Sequence, residues 1–125
     1  MYGKVIASDK IMNINNELHV VNPLVNLQVP FLPTTLSFSI FCSFLAENYQ
    51  NRFAIMIKVS DHKGFVLGSL DGEIDIDTPN SPVNFDINLS NVIFKNDGLH
   101  QVELFVEDKQ IAEYTFYVYN QNITL

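Results

Sequence analysis

The stretch whose residue types and spacing could do chemistry is Asp71-Gly72-Glu73-Ile74-Asp75-Ile76-Asp77. Side chains alternate between the two faces of an extended backbone, so Asp71, Glu73, Asp75 and Asp77 project together while Ile74 and Ile76 point to a core. Carboxylates grouped in this way are the ligand type of calcium, which takes about six to eight oxygens gathered from convergent loops. The spacing is not that of a helix-loop-helix calcium site, which needs a glutamate at its twelfth position. Acids alternating with isoleucines are also what a solvated strand face looks like. That is the reading preferred here, with a calcium or small-ligand site on Asp71, Glu73, Asp75 and Asp77 as the alternative.

The other chemical side chains are dispersed. His19, His62 and His100 lie far apart, with no second ligand at metal spacing beside any of them, so a zinc site would have to be assembled entirely by the fold. The single Cys42 has no neighbouring histidine or basic residue to activate it and is expected to fill a strand as a small apolar residue. There is no Gly-x-Ser-x-Gly, no Gly-x-Gly-x-x-Gly and no phosphate-binding loop; the five glycines stand singly, as turn residues do. No catalytic residue, resident metal or cofactor is expected.

The elements that must position these residues are strands. In Val83-Asn84-Phe85-Asp86-Ile87-Asn88-Leu89 every odd position is apolar and every even one is Asn or Asp, a period of two that marks one dry and one wet face. The same pattern predicts strands over Tyr2 to Ile14, Glu17 to Val21, Thr34 to Ala46, Phe53 to Val59, Phe65 to Leu70, Glu73 to Asp77, Leu99 to Val106 and Ile111 to Tyr119. Between the first two, Asn15-Asn16 suits a tight hairpin, because asparagine tolerates the left-handed backbone such turns require. Glu107 to Gln110 is expected as a four-residue turn, and Ala46 to Arg52 as a polar loop. Prolines 23, 30 and 33 exclude a central strand from residues 22 to 33 and suggest an apolar crossing between sheets, packed on an edge. Eight or nine strands at roughly ten-residue spacing without helical periodicity predict one domain, residues 1–125: an antiparallel two-sheet β-sandwich, immunoglobulin-like or C2-like, with little or no helix.

Composition bounds the partners. Fourteen acidic against seven basic residues give a net charge of −7, and the basic residues, a single Arg52 and six lysines, are scattered. Nucleic acid and anionic membrane, which need clustered cations, are therefore not expected as partners. No run approaches the ~18 apolar residues of a membrane helix, the N-terminal Met-Tyr-Gly-Lys is unlike a secretory signal, and one cysteine closes no internal disulfide. A cytoplasmic location is the expectation.

Apolar surface is in surplus, with ten Phe and five Tyr. The long strand carries Leu36, Phe38, Ile40, Cys42 and Phe44 on one face, yet Phe41 and Leu45 on the other. The last strand sets Tyr114, Phe116, Tyr117 and Tyr119 on both faces. Phe41, Leu45, Tyr114, Tyr117 and Tyr119 are the interface candidates, since aromatic residues are enriched where proteins meet.

The runs Ile55-Met56-Ile57-Lys58-Val59-Ser60-Asp61-His62-Lys63-Gly64, Asp97-Gly98-Leu99-His100-Gln101-Val102 and Tyr114-Thr115-Phe116-Tyr117-Val118 together resemble small bacterial and phage-encoded immunoglobulin-like β-sandwich proteins of unassigned function. The resemblance spans about the last 90 residues and implies a fold, with nothing catalytic carried over. With the composition it suggests a non-catalytic interaction module, a phage or mobile-element accessory protein that engages a protein partner or forms a homo-oligomer.

Overall fold

A computed structural model describes residues 2–45, 51–78 and 81–120. Nine strands and no helix make up the described residues: β1 (Tyr2–Ile14), β2 (Glu17–Pro23), β3 (Asn26–Val29), β4 (Thr34–Leu45), β5 (Arg52–Asp61), β6 (Val66–Asp75), β7 (Pro82–Phe94), β8 (Gly98–Val106) and β9 (Lys109–Asn120). They form a four-stranded sheet in the order β2-β1-β4-β7 and a five-stranded sheet in the order β3-β9-β8-β5-β6. Residues 46–50, most of the expected polar loop, lie outside the described residues.

The alternation seen in the sequence becomes two faces per sheet. On β4, Phe38, Ile40, Cys42 and Phe44 are buried; on β8, Val102, Leu104 and Val106 are; on β5, Phe53, Ile57 and Val59. The two sheets meet over these residues through aromatic rings. Phe44 of β4 and Phe53 of β5 pack edge to face with centroids 5.5 Å apart, and Phe38 of β4 meets Phe116 of β9 at 6.2 Å. Truncating any of these fully enclosed rings to alanine is expected to cost about 3–5 kcal/mol.

Two of the three hairpin turns, β1–β2 and β8–β9, are two residues long with left-handed backbones. Asn15 and Asn16 have φ of 52° and 65° between β1 and β2, and Glu107 and Asp108 have 51° and 64° between β8 and β9. The second turn is therefore tighter than the four residues expected, because Lys109 and Gln110 already pair with Val106 and Phe105. Positive φ at both central residues matches the twist of the flanking strands, which is why such turns close hairpins.

Three further expectations are corrected. The five-stranded sheet is mixed, since β3 runs parallel to β9, Asn26 to Val29 beside Tyr117 to Asn120. The proline-bearing segment crosses from β2 on one sheet to this edge of the other, as expected, and a strand arriving by such a crossing is free of the antiparallel rule that a hairpin imposes. Its crossing is fastened to both layers: the Leu24 amide donates to the Ala7 carbonyl at 2.9 Å, and the Tyr117 amide to the Val25 carbonyl at 2.8 Å. Second, Asp71-Gly72 does not break the chain. Gly72 pairs with Ile55 in an unbroken ladder, and Val66 to Asp75 is one strand. Third, β7 continues past Leu89 to Phe94 through a bulge at Asn91, whose φ is 56° and whose amide donates to the Ser37 hydroxyl at 3.0 Å. An extra residue absorbed as a bulge bends the strand without ending it.

Candidate functional site

The outer face of the five-stranded sheet gathers most of the residues that sequence singled out. On the edge strand β6, Asp71 pairs with Met56, Glu73 with Ala54 and Asp75 with Arg52, which places all three carboxylates on the solvent side. Asp77 follows the strand and is exposed. Arg52 reaches across to Asp75 at 2.7 Å and to Glu73 at 3.5 Å. The row is extended: alternate residues of a strand are spaced by roughly 7 Å, too far apart for one ion to collect them. Among the described residues no group of three or more His, Cys, Asp or Glu side chains is placed to hold a metal.

Beside this row lies an open groove of about 370 Å³, lined by Ala54, Met56, Asp71, Glu73, Phe105 and Asp108. Phe105 is directly opposite Met56, so the floor is apolar and the rim carries carboxylates. Next to it the Lys58 ammonium stands 5.8 Å from the centre of the Phe105 ring and 4.0 Å from the largely buried Glu103 carboxylate. At the other end of the same face, Leu99 of β8 is directly opposite Tyr117 of β9, and the two are 46% and 47% exposed. Tyr119 continues the patch on β9.

The remaining interface candidates are placed otherwise. Tyr114 faces inward, packs against the core and donates its hydroxyl to the Leu24 carbonyl, so its polar end is engaged within the fold; burial pushes its pKa up. Phe41 and Leu45 are on the outer face of the other sheet, half-buried. Phe41 lies between Ile6 and Asp86, and Leu45 between Tyr2 and Pro82. Phe41 also borders a wide groove of about 820 Å³ between the β1–β2 hairpin tip and β7, lined by Asn13, Asn16, Glu17, Asn84 and Asp86.

The histidines do not meet as a ligand set. His19 is exposed, 3.8 Å from Glu17. His100 is in the core, stacked on Phe116 with centroids 5.7 Å apart. Its Nδ1 is 3.0 Å from the Gly98 carbonyl, and its buried Nε2 has no hydrogen-bond partner in the protein. Burial holds its pKa below the usual histidine value, against the pull of Asp61. His62 packs against Gly98, where a Cβ would come within 2.8 Å of the imidazole. Cys42 is fully enclosed, its pKa pushed up to about 12 by burial and then by Asp86.

Leu99, Met56 and Phe105 were not among the candidates. Each looks like ordinary strand content until the register sets it beside Tyr117 or the acidic row, and the sequence signal for that register is weak.

A family of unknown function (DUF6941) matches residues 5–119. No match to a curated protein was found by sequence. Among solved structures, the Pseudomonas fluorescens alkylpurine DNA glycosylase AlkC, bound to DNA containing an abasic site analog, is similar with a TM-score of 0.43 and 12% identity. That likeness covers 91% of this chain and 30% of the glycosylase chain, so the present chain spans under a third of that protein's length.

Proposed function

Since the chain belongs to this family of unknown function, we propose from its surface alone that it is a non-catalytic binding module which engages a protein partner through the outer face of the five-stranded sheet. The observation that carries the reading is the Leu99–Tyr117 pair, two large side chains directly opposite on neighbouring strands and about half exposed, with Tyr119 beside them. Rigid rings on a flat sheet lose little conformational entropy on docking and bring large apolar area, which is why tyrosine is favoured at binding surfaces. The scattered histidines and the enclosed thiol support the non-catalytic part of the reading.

The test is a comparison of the wild type with a Leu99→Ser/Tyr117→Ser double variant, by light scattering after size exclusion and by cross-linking in the source cell. The expected result is a specific complex with the wild type that the double variant loses while its melting temperature is kept. A wild type that is strictly monomeric and cross-links to nothing refutes the reading.

A further inference from the structure

The free edge of β6 joins three features. It is a ten-residue strand at the end of its sheet, with one line of backbone donors and acceptors left unpaired by strands among the described residues. Natural edges are blunted by shortness, proline, bulges or charged side chains, lysine above all. The other edges here follow that rule: β3 has four residues and is followed by Pro30, β2 ends on Pro23, and β7 begins at Pro82 and is bulged at Asn91. β6 has neither proline nor lysine, and its one bulge, at Leu67, is next to the turn.

The second feature is on its inner face. Gly68, Leu70 and Gly72 pair with Val59, Ile57 and Ile55 and so point to the core side. A Cβ built on Gly68 or Gly72 meets nothing within 4 Å, and Leu70 is 47% exposed. The opposite sheet leaves the middle of this strand, Leu70 to Gly72, uncovered, while Leu67, Gly68 and Ile74 on either side are half-buried. The third feature is the outer face, where Asp71, Glu73 and Asp75 alternate with those uncovered positions.

We propose that β6 is a docking edge for an extended basic segment of a partner protein, which adds to the five-stranded sheet as a further strand. The occupant follows from the period of two. Its inward side chains must be apolar to cover Leu70 and fill the space over Gly68 and Gly72. Its outward side chains must be cationic, because cross-strand neighbours stand about 5 Å apart and like charges there repel. A second copy of this chain is disfavoured by the same rule, since pairing two β6 edges sets one carboxylate row beside another. Main-chain bonds supply affinity in such additions and alternate side chains supply selection; the carboxylates that guard the edge against acidic strands also choose a basic one. The groove of Met56 and Phe105, rimmed by Asp71, Glu73 and Asp108, gives a lysine or arginine stem an apolar floor and its head a charged rim.

This inference rests on the binding-module reading but uses a surface remote from Leu99 and Tyr117, so the two can fail separately. The probes are ten-residue peptides alternating lysine and valine, the same with glutamate for lysine, and the lysine peptide N-methylated at alternate amides. Binding is read by fluorescence anisotropy and by hydrogen exchange of the whole chain. The lysine peptide is expected to bind at least ten-fold tighter than both others and to slow exchange within Val66 to Asp75. Asp71→Asn/Glu73→Gln and, separately, Leu70→Ser are each expected to weaken it several-fold at unchanged melting temperature. Equal binding of the N-methylated peptide, no preference over the glutamate peptide, or protection at Leu99–Tyr117 in place of β6 overturns the docking edge; each leaves the module reading in place, which fails only in the light-scattering and cross-linking comparison with Leu99→Ser/Tyr117→Ser.

Discussion

Asp61 on β5 and His100 on β8 are direct partners in the sheet ladder, both on the core side and only 5% and 1% exposed. Two titratable groups thus share one buried rung at an end of the fold. Their surroundings divide the roles. Burial works to raise the Asp61 pKa, but hydrogen bonds from the Asn96 side chain and the Phe65 and Lys63 amides outweigh it and hold the carboxyl below its usual range. His100 has two phenylalanines about it, Phe94 at 5.1 Å and Phe116 at 5.7 Å, and one accepting carbonyl.

Stability is expected to fall as pH drops below about 6.5, the ordinary histidine value. The folded state holds His100 neutral, with burial the main cause; His62 reinforces that and Asp61 and the Gly98 carbonyl oppose it. The unfolded chain therefore binds the proton first, and the loss runs from the unfolded pKa down to the folded one. One such group gives a slope of at most about 1.4 kcal/mol per pH unit. Urea unfolding at pH 7.5, 6.5 and 5.5 measures it, and His100→Phe is expected to flatten the slope in that window.

Asp61→Ala is expected to destabilise the fold by roughly 2–3 kcal/mol. The carboxylate accepts the Lys63 and Phe65 amides at 3.0 Å each and the Asn96 side-chain amide at 2.9 Å, so it ties the β5–β6 turn to the β7–β8 connection. Its contribution has the opposite origin to that of His100: a lowered carboxyl pKa stabilises above the unfolded value and is lost as pH falls through the folded one. Unfolding curves below pH 4 for wild type and Asp61→Asn check the sign, the variant being the less sensitive.

Cys42 is expected to resist thiol reagents at pH 8. A thiol raised to about 12 and fully enclosed offers almost no thiolate. Labelling with a disulfide reagent is expected to be slow in buffer and fast in denaturant, with a rate that follows unfolding. Rapid stoichiometric labelling of the folded chain would contradict the packing described.

Gly3→Ala is expected to cost about 1–3 kcal/mol. A Cβ there would come within 2.6 Å of the Ile111 Cδ1 and 3.1 Å of the Ser43 carbonyl oxygen. The first clash is with a side chain that can be shortened, so Ile111→Val is expected to recover part of the loss in thermal unfolding of the double variant. No recovery would place the strain at the Ser43 backbone instead.

Strand identity and facing were legible in the sequence because they are local. Alternation along Val83 to Leu89 states which side chain is inward whatever the strand pairs with, and Asn15-Asn16 states that the chain turns there. The same local logic put Asp71, Glu73 and Asp75 on one face and foresaw the crossing at prolines 23, 30 and 33. It misread Asp71-Gly72 as a stop, since a glycine that pairs in a ladder and one that closes a turn look alike in sequence.

What only the tertiary structure decided is everything that depends on which strand is next to which. The parallel direction of β3, the edge position of β6, the register that sets Leu99 against Tyr117 and Arg52 against Asp75, the inward packing of Tyr114 and the enclosure of His100 all join residues distant along the chain. Such contacts carry no local signature, because a strand offers the same two faces and two edges to any neighbour. The choice among neighbours is made by the shared core, where the rings of Phe38, Phe44, Phe53 and Phe116 must fit between two sheets at once.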